Sequence, residues 1–387
     1  MTGKKQTLSA RTIAVQAEIG TDKAYGSVPP ALYMGSTYCW PSVANKGEYD
    51  YGRTNNPNRD GLARALASLE GGAGAVITSS GMAAIDLVFN LLCADDLIIA
   101  PHDCYGGTHR LLTHRAKQGR LRVEFVDQGD GKALLAAMEK SPKLVLIETP
   151  SNPLMRLVDI AAISKAAKAA GALSVVDNTF LSPARQTPIA LGADIVVHST
   201  TKYINGHSDV VGGAVIAKTG EQAEELAWWA NCIGVTGAPF DSFQTLRGLR
   251  TLALRMDTAE RNALAIAKAL HKHKAVTKVY YPGLRSDAGY KLMKRQQSGP
   301  GAMLSFELKG GGEAAVAFAE SLEIFQLAAS LGGVESLICQ PSTMTHRGME
   351  EEARLKAGIT DGLLRLSVGI EDEKDLINVL TQKLSLI

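Results

Sequence analysis

Lys202 lies in the segment HSTTKYINGHSD (198–209), behind an apolar run ending in Ile195, Val196 and Val197, with the hydroxyl residues Ser199 and Thr201 crowded just before it. Four other features carry matching chemistry. Asp177 closes the apolar run LSVVD, where a bare carboxylate is costly unless it is paired. TSSGMAA (78–84) is a glycine turn that opens a helical pattern, so the Gly81 and Met82 amides can face an anion with a favourable dipole. On extended backbone Ser199 and Thr201 would point to one side as a pair of hydroxyl donors. Tyr105, in DCYGG, offers a flat ring beside flexible glycines. A buried amine, a buried carboxylate, an anion cup and a ring together match the needs of pyridoxal 5′-phosphate (PLP). That aldehyde forms a Schiff base with lysine, needs a carboxylate at its ring nitrogen and binds through its phosphate. Each feature also has a plain alternative: Lys202 a solvated loop lysine, Asp177 a helix N-cap, the SGM turn a connection, Tyr105 ordinary packing. Their combination favours PLP.

The elements that must hold these residues are short β-rich runs alternating with helical patterns. GAVITSS (74–80) precedes the helical GMAAIDLVFNLL (81–92), DLIIAPHDCYGG (96–107) precedes HRLLTHRAKQG, and PKLVLIETPSNP (142–153) precedes IAAISKAAKAAGA (160–172). LSVVDNTF (173–180) and ADIVVHSTTK (193–202) follow. This pattern predicts an α/β fold, a mostly parallel sheet with helices on both faces. The runs end in polar residues: Ser79–Ser80, His102–Asp103, Glu148, Asp177–Asn178 and His198–Ser199. Ligands of open α/β sheets bind beyond the carboxyl ends of the strands, so these ends predict one shared site. Residues 1–58 are turn-rich and predict an extended arm, 59–248 the α/β domain, and 249–387 a smaller α+β domain. The last opens with a long helical pattern from about Thr245 and includes the strand candidates AMLSFEL (302–308) and LLRLSVGI (363–370).

Bulk properties narrow the function classes. The chain has 387 residues, with 41 Lys+Arg against 39 Asp+Glu, which leaves no electrostatic footprint for nucleic acid or an anionic membrane. No apolar stretch approaches the roughly 20 residues of a membrane span, and Met1–Gln16 lacks the apolar segment of a secretory signal. The five cysteines form no CxxC pair, which predicts reduced thiols in a cytoplasmic chain with neither disulfide frame nor metal site. HKHK (271–274) reads as cations at a helix C-terminus rather than as a metal pair.

The segment VVDNTFLSPARQTPIALGADIVVHSTTKYINGHSDVVGG closely resembles the signature region of the Cys/Met-metabolism PLP-dependent enzymes. YGRTNNPNR, LEGGAGAVITSSGMAAI, APHDCYGGTHRLL, VLIETPSNPLMRLVDI, SLGGVESLICQPSTMTH and LLRLSVGIED extend the likeness from about residue 10 to the end. The resemblance implies the type I PLP-dependent transferase fold, aspartate aminotransferase-like. It also implies that Lys202 carries the cofactor, Asp177 pairs with its ring nitrogen, Tyr105 stacks on the ring, and Asn152 lies beside the phenolic oxygen. Gly81, Met82, Ser199 and Thr201 match the family's phosphate cup. Tyr51 and Arg53 match residues that reach into the neighbouring subunit's site, which implies at least a dimer and usually a homotetramer of two such dimers. Arg365 matches the residue that grips the substrate's α-carboxylate, with Ser330 beside it and Asp50 and Arg110 near the substrate entrance.

Within the family, APHDCYGG, FVDQGD, AWWAN, IGVTG and SLGGVESL read most like the bacterial synthases. The implied chemistry is γ-replacement: an O-succinyl- or O-acetylhomoserine loses its acyl group and cysteine adds through sulfur, with Lys202 and Tyr105 handling protons. The chain departs from the synthase pattern at Thr54, where a second basic residue is usual, and at Ala329, where an acidic one is. The family's lyases, which split cystathionine at its β- or γ-carbon or act on methionine, are the alternative.

Overall fold

A computed structural model describes residues 8–387. The first residues of the expected arm, 1–7, and the lysines there lie outside the described residues. A seven-stranded sheet forms the centre, from β1 (Gly74–Thr78), β2 (Leu97–Pro101), β3 (Arg122–Val126), β4 (Leu144–Glu148), β5 (Leu173–Asp177), β6 (Ile195–Ser199) and β7 (Gly213–Ala217). Its order is β1-β7-β6-β5-β4-β2-β3. Every neighbouring pair is parallel except those that β7 makes with β1 and β6. Successive residues feed cores on opposite faces. Val175 packs with Leu87, Val88 and Ile195 on one side, and Val176 with Ile147, Ile160 and Ile163 on the other. Burial on both faces explains why these strands read as continuous apolar runs.

A second sheet of five strands is built from β8 (Val276–Tyr280), β9 (Met303–Leu308), β10 (Gln326–Leu327), β11 (Leu337–Cys339) and β12 (Leu363–Ser367), in the order β10-β11-β12-β9-β8. β9 and β12 coincide with the two strand candidates of the sequence. Among the described residues no helix is long and apolar enough to cross a membrane.

Local signals set the helix ends. In the helix Ile160–Ala169, Asp159 caps the Ala162 N–H, and Gly171 follows the helix end at φ 74°. The cations of HKHK fall where the sequence puts them, with His271 and Lys272 in the last turn of the helix Leu252–Lys272.

Two expectations are corrected. The long helical pattern from Thr245 is two helices, Pro239–Leu249 and Leu252–Lys272. The break has a hydrogen-bond cause: the Gly248 carbonyl accepts from the Thr251 N–H, the Thr251 hydroxyl and the Arg255 guanidinium, so the regular helical ladder stops. The arm is not wholly extended. It carries a helix, Ala10–Gln16, capped by Ser9, and a further helix, Pro57–Glu70, capped by Asn56, starts just ahead of the expected boundary at 58/59.

Candidate active site

Beyond the carboxyl ends of β1, β4, β5 and β6 lies a cavity of about 620 Å³. Lys202, Asp177, Ser199, Thr201, Gly81, Met82, Tyr105, Asn152, Arg110, Ser330 and Arg365 all line it. Residues from the large sheet's strand ends therefore meet Arg365 of β12 and Ser330 of the β10–β11 loop in one space.

Lys202 Nζ donates to Ser330 Oγ at 2.7 Å. Burial and the nearby Arg365 cation lower its pKa to about 8, so an appreciable fraction of the amine is neutral near physiological pH. The loop after Lys202 is pinned from below, where Arg255 donates to the carbonyls of Tyr203 at 2.7 Å and Ile204 at 3.3 Å. Ser330 has φ 98°, a conformation costly for a residue with a Cβ and characteristic of functional sites. Its hydroxyl accepts from Lys202 while its carbonyl accepts from Arg365 Nη2 at 2.9 Å. Arg365 Nη1 donates to Asn152 Oδ1 at 2.8 Å, and its Nε has no partner among the described residues although the residue is only 3% exposed. A buried guanidinium with spare donors is a carboxylate site in waiting.

Asp177 ends β5, and what exposure it has is to the cavity. Burial raises its pKa, while the Thr179 hydroxyl and N–H and His198 pull it back down; the Thr179 N–H donates to Oδ1 at 3.0 Å. This is a carboxylate that wants a cation. Ser80 caps the helix Gly81–Phe89 by accepting from Ala83 N–H, which leaves the Gly81 and Met82 amides for an anion. A Cβ on Gly81 would come within 2.6 Å of Ser199 Cβ, so glycine is what lets this helix N-terminus close against β6.

The expectation of an extended backbone across Ser199 and Thr201 is corrected: β6 stops at Ser199 and a turn follows, with the Lys202 N–H donating to Ser199 O. Both residues still line the cavity, with the Thr201 hydroxyl donating to Gly212 O at 3.2 Å. Tyr105 stands at the start of the helix Gly106–Lys117, and Gly107 leaves room for its ring, since a Cβ there would meet the ring at 2.5 Å. Arg110, in the same helix, is exposed at the cavity mouth, and Ala329 also lines the space.

Tyr51, Arg53 and Asp50 do not line this chain's own cavity. Tyr51 and Arg53 are exposed, with the Arg53 guanidinium 5.5 Å from the centre of the Tyr51 ring, and Asp50 accepts from Tyr51 N–H.

Four further residues bear on the site: His346, His198, Glu148 and Cys104. His346 is buried and its Nε2 sits 3.2 Å from Asn152 O, holding the residue that in turn holds Arg365. Burial lowers its pKa to about 4, which keeps it neutral. His198 Nε2 lies 2.7 Å from Glu70 Oε1, and Asn178 donates to the same oxygen at 2.8 Å, an entirely buried group beneath the strand ends. Glu148 accepts the Tyr105 N–H at 2.8 Å. The polar ends of the apolar runs were the one signal pointing to His198 and Glu148. Cys104 is buried with its thiol pKa pushed well up by burial, an inert neighbour rather than a nucleophile.

The family model "Cys/Met metabolism PLP-dependent enzyme" matches residues 11–385. Cystathionine gamma-synthase of Escherichia coli K12 is 57% identical over 96% of this chain and 96% of its own length. Cystathionine beta-lyase of Lactococcus lactis is 46% identical over 97% of this chain and 99% of its own. A crystal structure of cystathionine gamma synthase from Xanthomonas oryzae pv. oryzae in complex with cystathionine superposes with a TM-score of 0.97. It is 55% identical and covers 98% of each chain.

Proposed function

The chain belongs to the Cys/Met-metabolism PLP-dependent enzymes, and on that premise we propose that it joins an O-succinyl- or O-acetylhomoserine to L-cysteine, giving cystathionine and the free carboxylate. One observation carries the reading: Lys202, Asp177 and Arg365, drawn from both sheets, converge on a single cavity in a chain 57% identical to a cystathionine gamma-synthase.

The residues present fit PLP. Asp177 is a buried carboxylate in want of a cation, the Gly81 and Met82 amides await an anion, and Lys202 is a part-neutral amine between them. Lys202 would hold the aldehyde carbon, Asp177 the ring nitrogen and Tyr105 a ring face. Asn152 would hold the phenolic oxygen, and Gly81, Met82, Ser199 and Thr201 the phosphate. When bound, PLP supplies an electron sink that stabilises negative charge at the substrate's α-carbon.

The chain's own residues do the rest. Arg365 grips the substrate's α-carboxylate with its spare donors, held in plane by Asn152 and the Ser330 carbonyl. That grip sets the α-carbon within reach of Lys202 Nζ, whose pKa of about 8 suits it to take a proton at Cα, hand it on, and then take one at Cβ. The Cγ–O bond to the acyl group breaks, the acyl group leaves as a carboxylate, and the cysteine sulfur forms the new Cγ–S bond. The Tyr105 phenol is the second proton carrier, Arg110 borders the entrance, and Asp50, next to Tyr51, would border that of a neighbouring copy.

Residues 1–58 serve as an inter-subunit arm, 59–248 as the cofactor domain and 249–387 as the domain carrying the carboxylate site. Tyr51 and Arg53 complete the phosphate site of a neighbouring copy in a homotetramer of two such dimers, which accounts for their distance from this chain's own cavity. Five free cysteines, three of them exposed, suit a reducing cytoplasm.

The assay offers the holoenzyme O-succinyl- or O-acetylhomoserine with cysteine, and separately cystathionine alone. Cystathionine formation from the first pair is the expected result. The 46% identity to a cystathionine beta-lyase supports a second reading as a lyase. Pyruvate and homocysteine released from cystathionine, faster than it is made, would establish a β-lyase instead, and 2-oxobutanoate with cysteine a γ-lyase.

A further inference from the structure

Glu148 is a buried acid with no part in the reaction outlined above. It ends β4 directly opposite Asp177, the last residue of β5, and the two strands are parallel. Laterally paired residues of neighbouring parallel strands share a face, with backbones about 4.8 Å apart, so the two carboxyl groups leave the sheet side by side into the same cavity. Glu148 is 8% exposed. Its Oε2 accepts the N–H of Tyr105 at 2.8 Å, and Tyr105 begins its helix without a side-chain cap. Glu148 therefore ties the residue facing the cavity to the strand that neighbours Asp177.

Two acidic groups this close in a dry site cannot both ionise at ordinary cost. The groups facing Glu148 sharpen the asymmetry. Asp177 stands on β5, and Asp103 and the un-ionised Cys104 thiol lie just before the Tyr105 helix. The main cavity also holds Lys202, Arg110 and Arg365, and the second cleft that Glu148 borders holds Arg156 and Lys278, but among the described residues none of these cations pairs with Glu148. Arg156 is already engaged by the Ala357 carbonyl at 2.8 Å and lies 3.4 Å from Asp103. The Tyr105 and Asn152 N–H groups favour the Glu148 anion, as the Thr179 donors and His198 favour that of Asp177, but at Glu148 burial outweighs them. Burial and the Asp177 charge both push the Glu148 pKa well up.

We propose that Glu148 is a positioning residue that works as a neutral carboxylic acid: it fixes Tyr105 through its backbone and takes the shared proton of the pair, so that Asp177 stays ionised toward the cofactor. The inference rests on the placement of PLP against Asp177 and Tyr105 given above.

Glu148→Gln and Glu148→Ala, compared with wild-type holoenzyme, test it. Gln keeps the neutral acceptor, so E148Q should keep kcat within about twofold and leave the pH midpoint of the cofactor's visible band in place. Ala removes the anchor of Tyr105, and E148A should lose roughly 10- to 100-fold in kcat, with its midpoint displaced and its melting transition still cooperative. An infrared difference spectrum, wild type minus E148Q, should show the C=O stretch of a protonated carboxylic acid. A carboxylate band in that spectrum, or E148Q falling as far as E148A with a displaced midpoint, overturns the proposal. If wild-type protein binds no PLP and shows no visible band, the underlying cofactor reading fails instead, and the two failures are distinct.

Discussion

Arg365 presents a planar fork of five N–H donors, and the described residues occupy Nη1 and Nη2 with one bond each while Nε stays free. Arg365→Lys keeps the charge but loses the fork. It should raise KM for the amino-acid substrates roughly 10- to 100-fold, the weight of one charge-assisted hydrogen bond, with a smaller effect on kcat; steady-state kinetics measure both. Lys202 gives a pH-dependent counterpart. Its amine has a pKa of about 8 against 10.5 for a free lysine. Below about pH 8 the amine is mostly protonated, and only its shrinking neutral fraction can attack an aldehyde. The rate at which apoenzyme recovers its visible band on adding PLP should therefore climb about tenfold per pH unit up to that point and then level off. A rate still climbing tenfold per unit to pH 10 would mean that Lys202 behaves as a solvated lysine.

The elements that hold these side chains meet at contacts with little slack. The helix Gly81–Phe89 closes on β6 only because residue 81 has no Cβ. Gly81→Ala should force the helix N-terminus away from Ser199, at about 1–3 kcal/mol of overpacking, and weaken PLP binding at least tenfold in an equilibrium titration. A variant that binds PLP as wild type does would remove the helix N-terminus from the phosphate site. At this level much of the architecture was legible beforehand. Burial on both faces turns each strand into an unbroken apolar run, so the residue ending the run, whether Asp177, Glu148 or Ser199, stands out as polar. The cations of HKHK marked one helix end in the same way. The break at Arg250–Thr251 was not legible, because it depends on Arg255 reaching back to the Gly248 carbonyl under the Lys202 loop. Nor was the buried Glu70–His198 pair, whose partners stand 128 residues apart. Arg365 and Ser330 carried no local signal either and entered through the family resemblance alone, since only the folded chain brings β12 to the ends of β4 to β6.

For the molecule as a whole, the proposed function shares each site between two copies of the chain. The arm exposes Tyr25, Trp40, Val43 and Tyr51, and Tyr51 and Arg53 do not line their own chain's cavity. If these two residues serve a neighbour, Arg53→Ala and Lys202→Ala chains should each be nearly inactive alone. Mixed one to one and allowed to exchange, half of the dimers would pair one chain of each kind and carry one intact site of two, restoring up to about a quarter of wild-type activity. No recovery, with exchange confirmed by native mass spectrometry, would confine each site to one chain. The chemistry assigned to the whole assembly depends in the end on where the cofactor is attached. Holoenzyme reduced with borohydride, digested and mapped by mass spectrometry should carry a single phosphopyridoxyl group, on Lys202. The same group on another lysine, or no adduct from protein that shows the visible band, would contradict the account.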